Sequence, residues 1–159
     1  MLVMHAAKNE AEKVLDSFGS CEGALDVVNL AESQGAKVVF GALKDGISGA
    51  IIAEHGKKPV IYVEESDSPG RQRFTIMHEL GHLIERRANG DDEYSFVEKR
   101  GAKYDLHEFY ADEFAGNVLM PESSFRRIYR GKGDELAAAA HFSVTPSAVL
   151  KRAERLGLV

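Results

Sequence analysis

Apolar and polar positions change period several times along the 159 residues, and each change marks a predicted element. Residues 6–18 and 22–34 have apolar positions at helical spacing, predicting two helices separated by Gly19 and ended by Gly35. Lys37-Val38-Val39-Phe40 predicts a short strand. Residues 47–54 and 59–65 predict a hairpin around His55-Gly56-Lys57-Lys58, with Val60, Ile61, Tyr62 and Val63 in its second arm. At a sheet edge, such a hairpin would be a candidate rail for an extended peptide. Ser68 and Pro69 suit the N-cap and first position of a third helix. Its apolar run, 74–84, reads Phe-Thr-Ile-Met-His-Glu-Leu-Gly-His-Leu-Ile. Residues 105–120 repeat the helical pattern, with Leu106, Phe109, Tyr110, Phe114, Val118 and Leu119 as core positions. Between these two helices, residues 86–105 are highly charged and lack a firm period, which predicts a mobile flap over a cleft. Residues 135–157 have a helix, short turn, helix pattern. The sum is an α+β fold with a small, mainly antiparallel sheet, a helix pair and C-terminal helices. Residues 1–130 are expected to form one domain, with 131–159 packed on it.

Composition narrows the class. An apolar content of 44% suffices for a packed core, and no apolar stretch approaches the roughly 20 residues needed to span a bilayer. The start of the chain lacks a signal peptide's basic end and long apolar centre, so a cytoplasmic location is expected. One cysteine, Cys21, cannot form an internal disulfide, and it reads as a small residue near a helix start. The net charge of −5 is unevenly spread, because residues 121–159 carry seven basic and four acidic groups against 13 and 21 before them. Lys151, Arg152 and Arg155 would therefore be available to DNA. A net of +3 is modest for phosphate binding, which favours a packing or docking role for this end.

The chemistry lies in His78-Glu79-Leu80-Gly81-His82. Positions four apart share a helix face, so both imidazoles can reach one cation. Zinc takes nitrogen ligands at about 2.0–2.1 Å, and two histidines supply half a tetrahedral shell. Glu79 between them is placed to deprotonate water beside the ion. A structural site would fill its shell with Cys and His and has no need of that glutamate. On the second helix Glu108 and Asp112 lie one turn apart, with Ala111 and Ala115 permitting close approach. One of these carboxylates could bind the ion while the other accepts a ligand imidazole's spare N–H. An oxyanion donor is also wanted, and Tyr94, Tyr104, Tyr110 and His107 are the nearby candidates, among which spacing does not choose. Two imidazoles and a carboxylate also accept manganese or another transition metal.

These residues carry a resemblance. The run 73–84, then Glu108-x-x-Ala111-Asp112-x-Phe114-Ala115 and Val118-Leu119-Met120-Pro121, resembles the ImmA/IrrE family of metallopeptidases. Upstream, Leu25-x-Val27-Val28-x-Leu30-Ala31 and Gly46-Ile47-Ser48-Gly49-Ala50 match it too, so the resemblance spans residues 20 to 157. It implies a zincin-like fold, one zinc held by His78, His82 and Glu108, Glu79 as catalytic base, and Asp112 bonded to a ligand rather than to the ion. It further implies a protein substrate, a helix-turn-helix repressor of the XRE type, whose cleavage relieves repression in a phage, mobile-element or stress-response circuit. The alternative is a non-catalytic module that binds DNA or a repressor and whose metal site is structural or vestigial.

Overall fold

Alternating residues in the middle of the chain build a four-stranded sheet of β1 (Lys37–Gly41), β2 (Ile47–Ala53), β3 (Val60–Glu64) and β4 (Tyr94–Lys99). The computed structural model describes residues 2–19 and 25–159. Strand order is β1-β3-β2-β4, with β1 parallel to β3 and the other two pairings antiparallel. One face of the sheet carries Gly49, Ile51, Ala53, Ile61 and Val63, all buried, while Ile52 and Val97 are exposed.

The buried face is covered by α3 (Pro69–Ala88), and α4 (Leu106–Leu119) packs against the far side of α3. Residues 75–84 are therefore buried without interruption, although charged and imidazole groups lie among them. The contact is closest at Gly49, where a Cβ would sit 2.4 Å from Thr75 Cγ2, one turn before His78. α1 (Leu2–Phe18) lies on α4 through Ala7, Ala11 and Val14, and α2 (Val27–Ser33) leads into β1. The chain ends with α5 (Glu122–Ile128), α6 (Glu135–Phe142) and α7 (Pro146–Arg155). The turn between α6 and α7 is pressed onto the start of α3, since a Cβ at Gly70 would meet Val144 C at 3.0 Å. Arg73 ties the same region together by donating to Leu25 O at 2.6 Å and Ser143 O at 3.0 Å.

The α+β class and both C-terminal helices match expectation, and several particulars do not. The stretch 86–105 is no simple flap, because α3 continues to Ala88 and β4 occupies Tyr94–Lys99. The β2–β3 hairpin forms, but both arms are paired on each side, so β1 and β4 are the edges and the hairpin offers no rail. Leu106 is 68% exposed because it opens α4 at the surface. The second helix begins at Val27, with Asp26 capping it, while Cys21 and residues 22–24 lie outside the described residues. Among the described residues no helix is long and apolar enough to cross a membrane.

Candidate metal centre

His78, Glu79 and His82 project from the buried middle of α3 and are all at most 3% exposed. The two imidazoles meet edge to face, with ring centroids 4.9 Å apart. What brings α4 to them is a gap in side chains: a Cβ at Gly81 would lie 2.9 Å from Ala111 Cα and 3.2 Å from Phe114 Cβ. The start of α4 is fixed by Asp105, whose side chain accepts from His107 N and Glu108 N, each at 3.0 Å. Glu108 thus sits in the first turn, where the helix dipole favours a carboxylate. Its Oε2 is 2.8 Å from His82 Nε2 and its Oε1 is 3.5 Å from His78 Nε2. One turn later Asp112 Oδ1 accepts from His78 Nδ1 at 2.8 Å. Asp112 Oδ2 accepts from Tyr104 Oη at 2.9 Å and lies 3.5 Å from Arg155 Nη2.

The donor atoms are close without being hydrogen-bonded. His78 Nε2, His82 Nε2 and both oxygens of Glu79 are buried with no hydrogen-bond partner. Buried polar atoms left in that state are costly, and here they converge on one small region lined by carboxylate oxygens. They form a candidate ligand set, and two imidazole nitrogens with carboxylate oxygens suit zinc and its neighbours. The potential donors His78, Glu79 and His82 lie within 4.8 Å of one another, as do those of His78, Glu98 and Glu108.

Electrostatics are set by burial against this cluster. Burial opposes charge on His78, but Asp112, Glu108 and Glu98 outweigh it and raise its pKa well above the usual value. Burial dominates at His82 and lowers it. Glu108 is pushed up by burial but pulled well below the carboxylate range by the two imidazoles. Glu79 behaves oppositely: burial, only partly offset by His78, pushes its carboxyl up to about 8.

Of the four candidate oxyanion donors, Tyr104 lines a cleft of about 480 Å³ together with His78, Glu98, Asp112 and Lys151. Tyr94 faces a separate cavity with His55 and Pro59, and Tyr110 lies on the α1 side. His107 is half exposed, with Nδ1 2.9 Å from Glu85 Oε1. Two residues that sequence reasoning passed over also stand at the centre. Phe96 stacks on His82 at 3.9 Å with an interplanar angle of 1°, and Glu98 Oε2 lies 2.7 Å from His78 Nε2. The alternation Tyr94, Phe96, Glu98 was the signal for both, since these positions face inward while Ser95, Val97 and Lys99 face out. Arg152 and Arg155, read as available to DNA, turn inward instead. Arg152 is 3% exposed and donates to Met120 O and Asn117 Oδ1, each at 3.1 Å, while Arg155 pairs with buried Glu113 at 2.8 Å.

A structure described as a Mycobacterium tuberculosis transcriptional regulator superposes with a TM-score of 0.66 at 24% identity, over 93% of this chain and 46% of that one. The chain thus spans about half of that protein's length, and the likeness is one of fold. No curated protein matches the chain. Residues 31–154 match the Peptidase_M78 family, described as the IrrE N-terminal-like domain. With that match covering most of its length, the HExxH-bearing helix included, the chain belongs to the Peptidase_M78 family as an IrrE N-terminal-like, metallopeptidase-type domain.

Proposed function

We propose that this chain is a zinc-dependent endopeptidase that cleaves an XRE-type helix-turn-helix repressor in the cytoplasm, relieving repression in a phage, mobile-element or stress-response circuit. The observation that carries the catalytic part is Glu79. It is fully buried beside both imidazoles and has no hydrogen-bond partner. A site that only stored an ion would gain nothing from such a group, whereas proton transfer near neutral pH needs a carboxylate of this kind.

His78, His82 and Glu108 would hold one zinc per chain, and manganese or another transition metal suits the same donors. When bound, the ion polarises a peptide carbonyl and makes water acidic. Glu79 accepts the proton of the attacking water and returns it to the leaving amine nitrogen, acting as base and then acid. Asp112 accepts from His78 Nδ1, which keeps Nε2 free as the donor atom. Tyr104 is the one of the four that lines the same cleft, and it would serve as oxyanion donor only by giving up its hydrogen bond to Asp112 Oδ2. The edge strand β4 takes the place of the hairpin as the rail, since its outer backbone groups can pair with an extended substrate beside the site.

The repressor as substrate follows from family resemblance, and the solved relative's description as a transcriptional regulator is in keeping with it. The rival DNA-binding module has less support. Arg152 and Arg155 are committed to contacts within the chain, leaving Lys151 as the exposed one of the three cations.

The test is metal analysis of protein purified without added metal, followed by incubation with an XRE-type repressor. About one zinc per chain is expected in the wild type and in Glu79→Gln, and none in His78→Ala. Cleavage should fall by at least about 10²–10⁴-fold in Glu79→Gln. Undiminished cleavage by that variant would sink the proposal.

A further inference from the structure

The inward face of β4 brings a third carboxylate to the centre. Glu98 Oε2 lies 2.7 Å from His78 Nε2, closer than either oxygen of Glu108. Both atoms are buried, and neither makes a hydrogen bond. A charged pair at that distance would ordinarily align an N–H on the oxygen. Here both lie within 4.8 Å of a Glu108 oxygen as well.

The placement is built into the sheet. Glu98 pairs with Gly49, and the register between β2 and β4 shifts between Ile47 and Gly49, at the end of the ladder. The extra residue, Ser48, lies in β2, while β4 keeps its alternation, so Glu98 faces the same side as Tyr94 and Phe96. Gly49 in turn is pressed onto Thr75 of α3, so the ladder carrying Glu98 rests on the helix that carries His78. The carboxylate is 31% exposed and borders the cleft, which leaves it room to swing outward.

We infer that Glu98 is a fourth, displaceable metal ligand that caps the resting site. The inference rests on the metallopeptidase reading. Two imidazoles, Glu108 and Glu98 would offer one ion four donors, the number that fills the shell of a site that stores it. Chemistry needs one of those positions. Of the four donors, Glu98 is the one on an edge strand and facing the cleft, so an extended peptide pairing with β4 would meet it first. Its displacement therefore couples substrate docking to the opening of the site.

The test uses the full chain and readouts other than turnover, comparing wild type, Glu98→Ala, Glu98→Gln and His78→Ala. Zinc affinity is measured by chelator competition, the ligand field by the visible spectrum of the cobalt(II)-loaded protein, and displaceability by titrating acetohydroxamate, a zinc-binding anion. Both Glu98 variants should keep one metal per chain and bind it at least about tenfold more weakly, the loss typical of even an outer partner. Their cobalt spectra should shift as water replaces carboxylate. Acetohydroxamate should bind them at least about tenfold more tightly, since no carboxylate has to leave. Wild-type affinities and spectrum in both variants would overturn the inference, as would complete loss of metal from folded Glu98→Gln. If His78→Ala also bound zinc like the wild type, the metallopeptidase reading itself would fail.

Discussion

The two imidazoles of this centre are oriented by different physics. His78 has a hydrogen-bond acceptor, Asp112 Oδ1, on its far nitrogen, whereas His82 Nδ1 is buried without one. What holds His82 is the flat stack of Phe96, itself covered by the Arg86 guanidinium 5.3 Å from its ring centroid. Stacked aromatic pairs contribute about 0.5–1.5 kcal/mol, so Phe96→Ala should weaken zinc binding by roughly 2–10-fold while one ion per chain is kept. Chelator competition measures this, and an unchanged affinity would mean that His82 is positioned by packing within α3 alone. His78, Glu79 and His82 were legible in the sequence because i, i+4 spacing is a property of one helix. Glu108 and Asp112 were legible as a pair for the same reason. Phe96 and Glu98 reach the site from another element, and no local period states which strand edge faces which helix.

The pairing of α3 and α4 depends on one glycine. A methyl at Gly81 would meet backbone atoms of Ala111 at 2.9 and 3.2 Å, which cannot rotate aside. Overpacking of this kind costs about 1–3 kcal/mol, and the backbone clash places Gly81→Ala near the upper end. Better helix propensity returns about 1 kcal/mol, leaving a net loss of about 2 kcal/mol. The Tm of metal-free protein should then fall by about 4–8 °C. Because α4 carries Glu108, the same variant should bind zinc more weakly, which a purely local clash would not cause. Sequence periodicity found both helices, and the small residues Ala111 and Ala115 marked the face that approaches. It missed β4, whose Tyr-Ser-Phe-Val-Glu-Lys alternation is embedded in a charged stretch, and it assigned the edge to β2 and β3. Strand order is decided by contacts distant in the chain, so the central position of the hairpin had no local signature.

At the scale of the whole molecule, the C-terminal helices are wired to the centre rather than appended to it. Arg155 of α7 donates to Glu113 at 2.8 Å and to Tyr104 Oη at 2.5 Å, and it lies 4.6 Å from the centroid of the Phe109 ring. Tyr104 and Arg155 both reach Asp112, which orients His78. A basic residue on the second helix of a helix-turn-helix pattern reads from sequence as a DNA contact. Here its partner, Glu113, is 2% exposed and faces inward from α4. Removing one member of a buried ion pair leaves the other charge unpaired and costs about 3–5 kcal/mol. Arg155→Ala should therefore lower Tm by about 6–20 °C in a chain of this size. Arg155→Lys should recover only part of that loss, because a single ammonium cannot replace a fork reaching Glu113, Tyr104 and Asp112 at once. The decisive readout is zinc affinity. If residues 131–159 were a separate module, Arg155→Ala would leave zinc binding as it was. If they brace the site, affinity should fall about 10–100-fold, the cost of losing support behind a ligand histidine, and Asp112→Asn should lower it similarly with no further loss in the double variant.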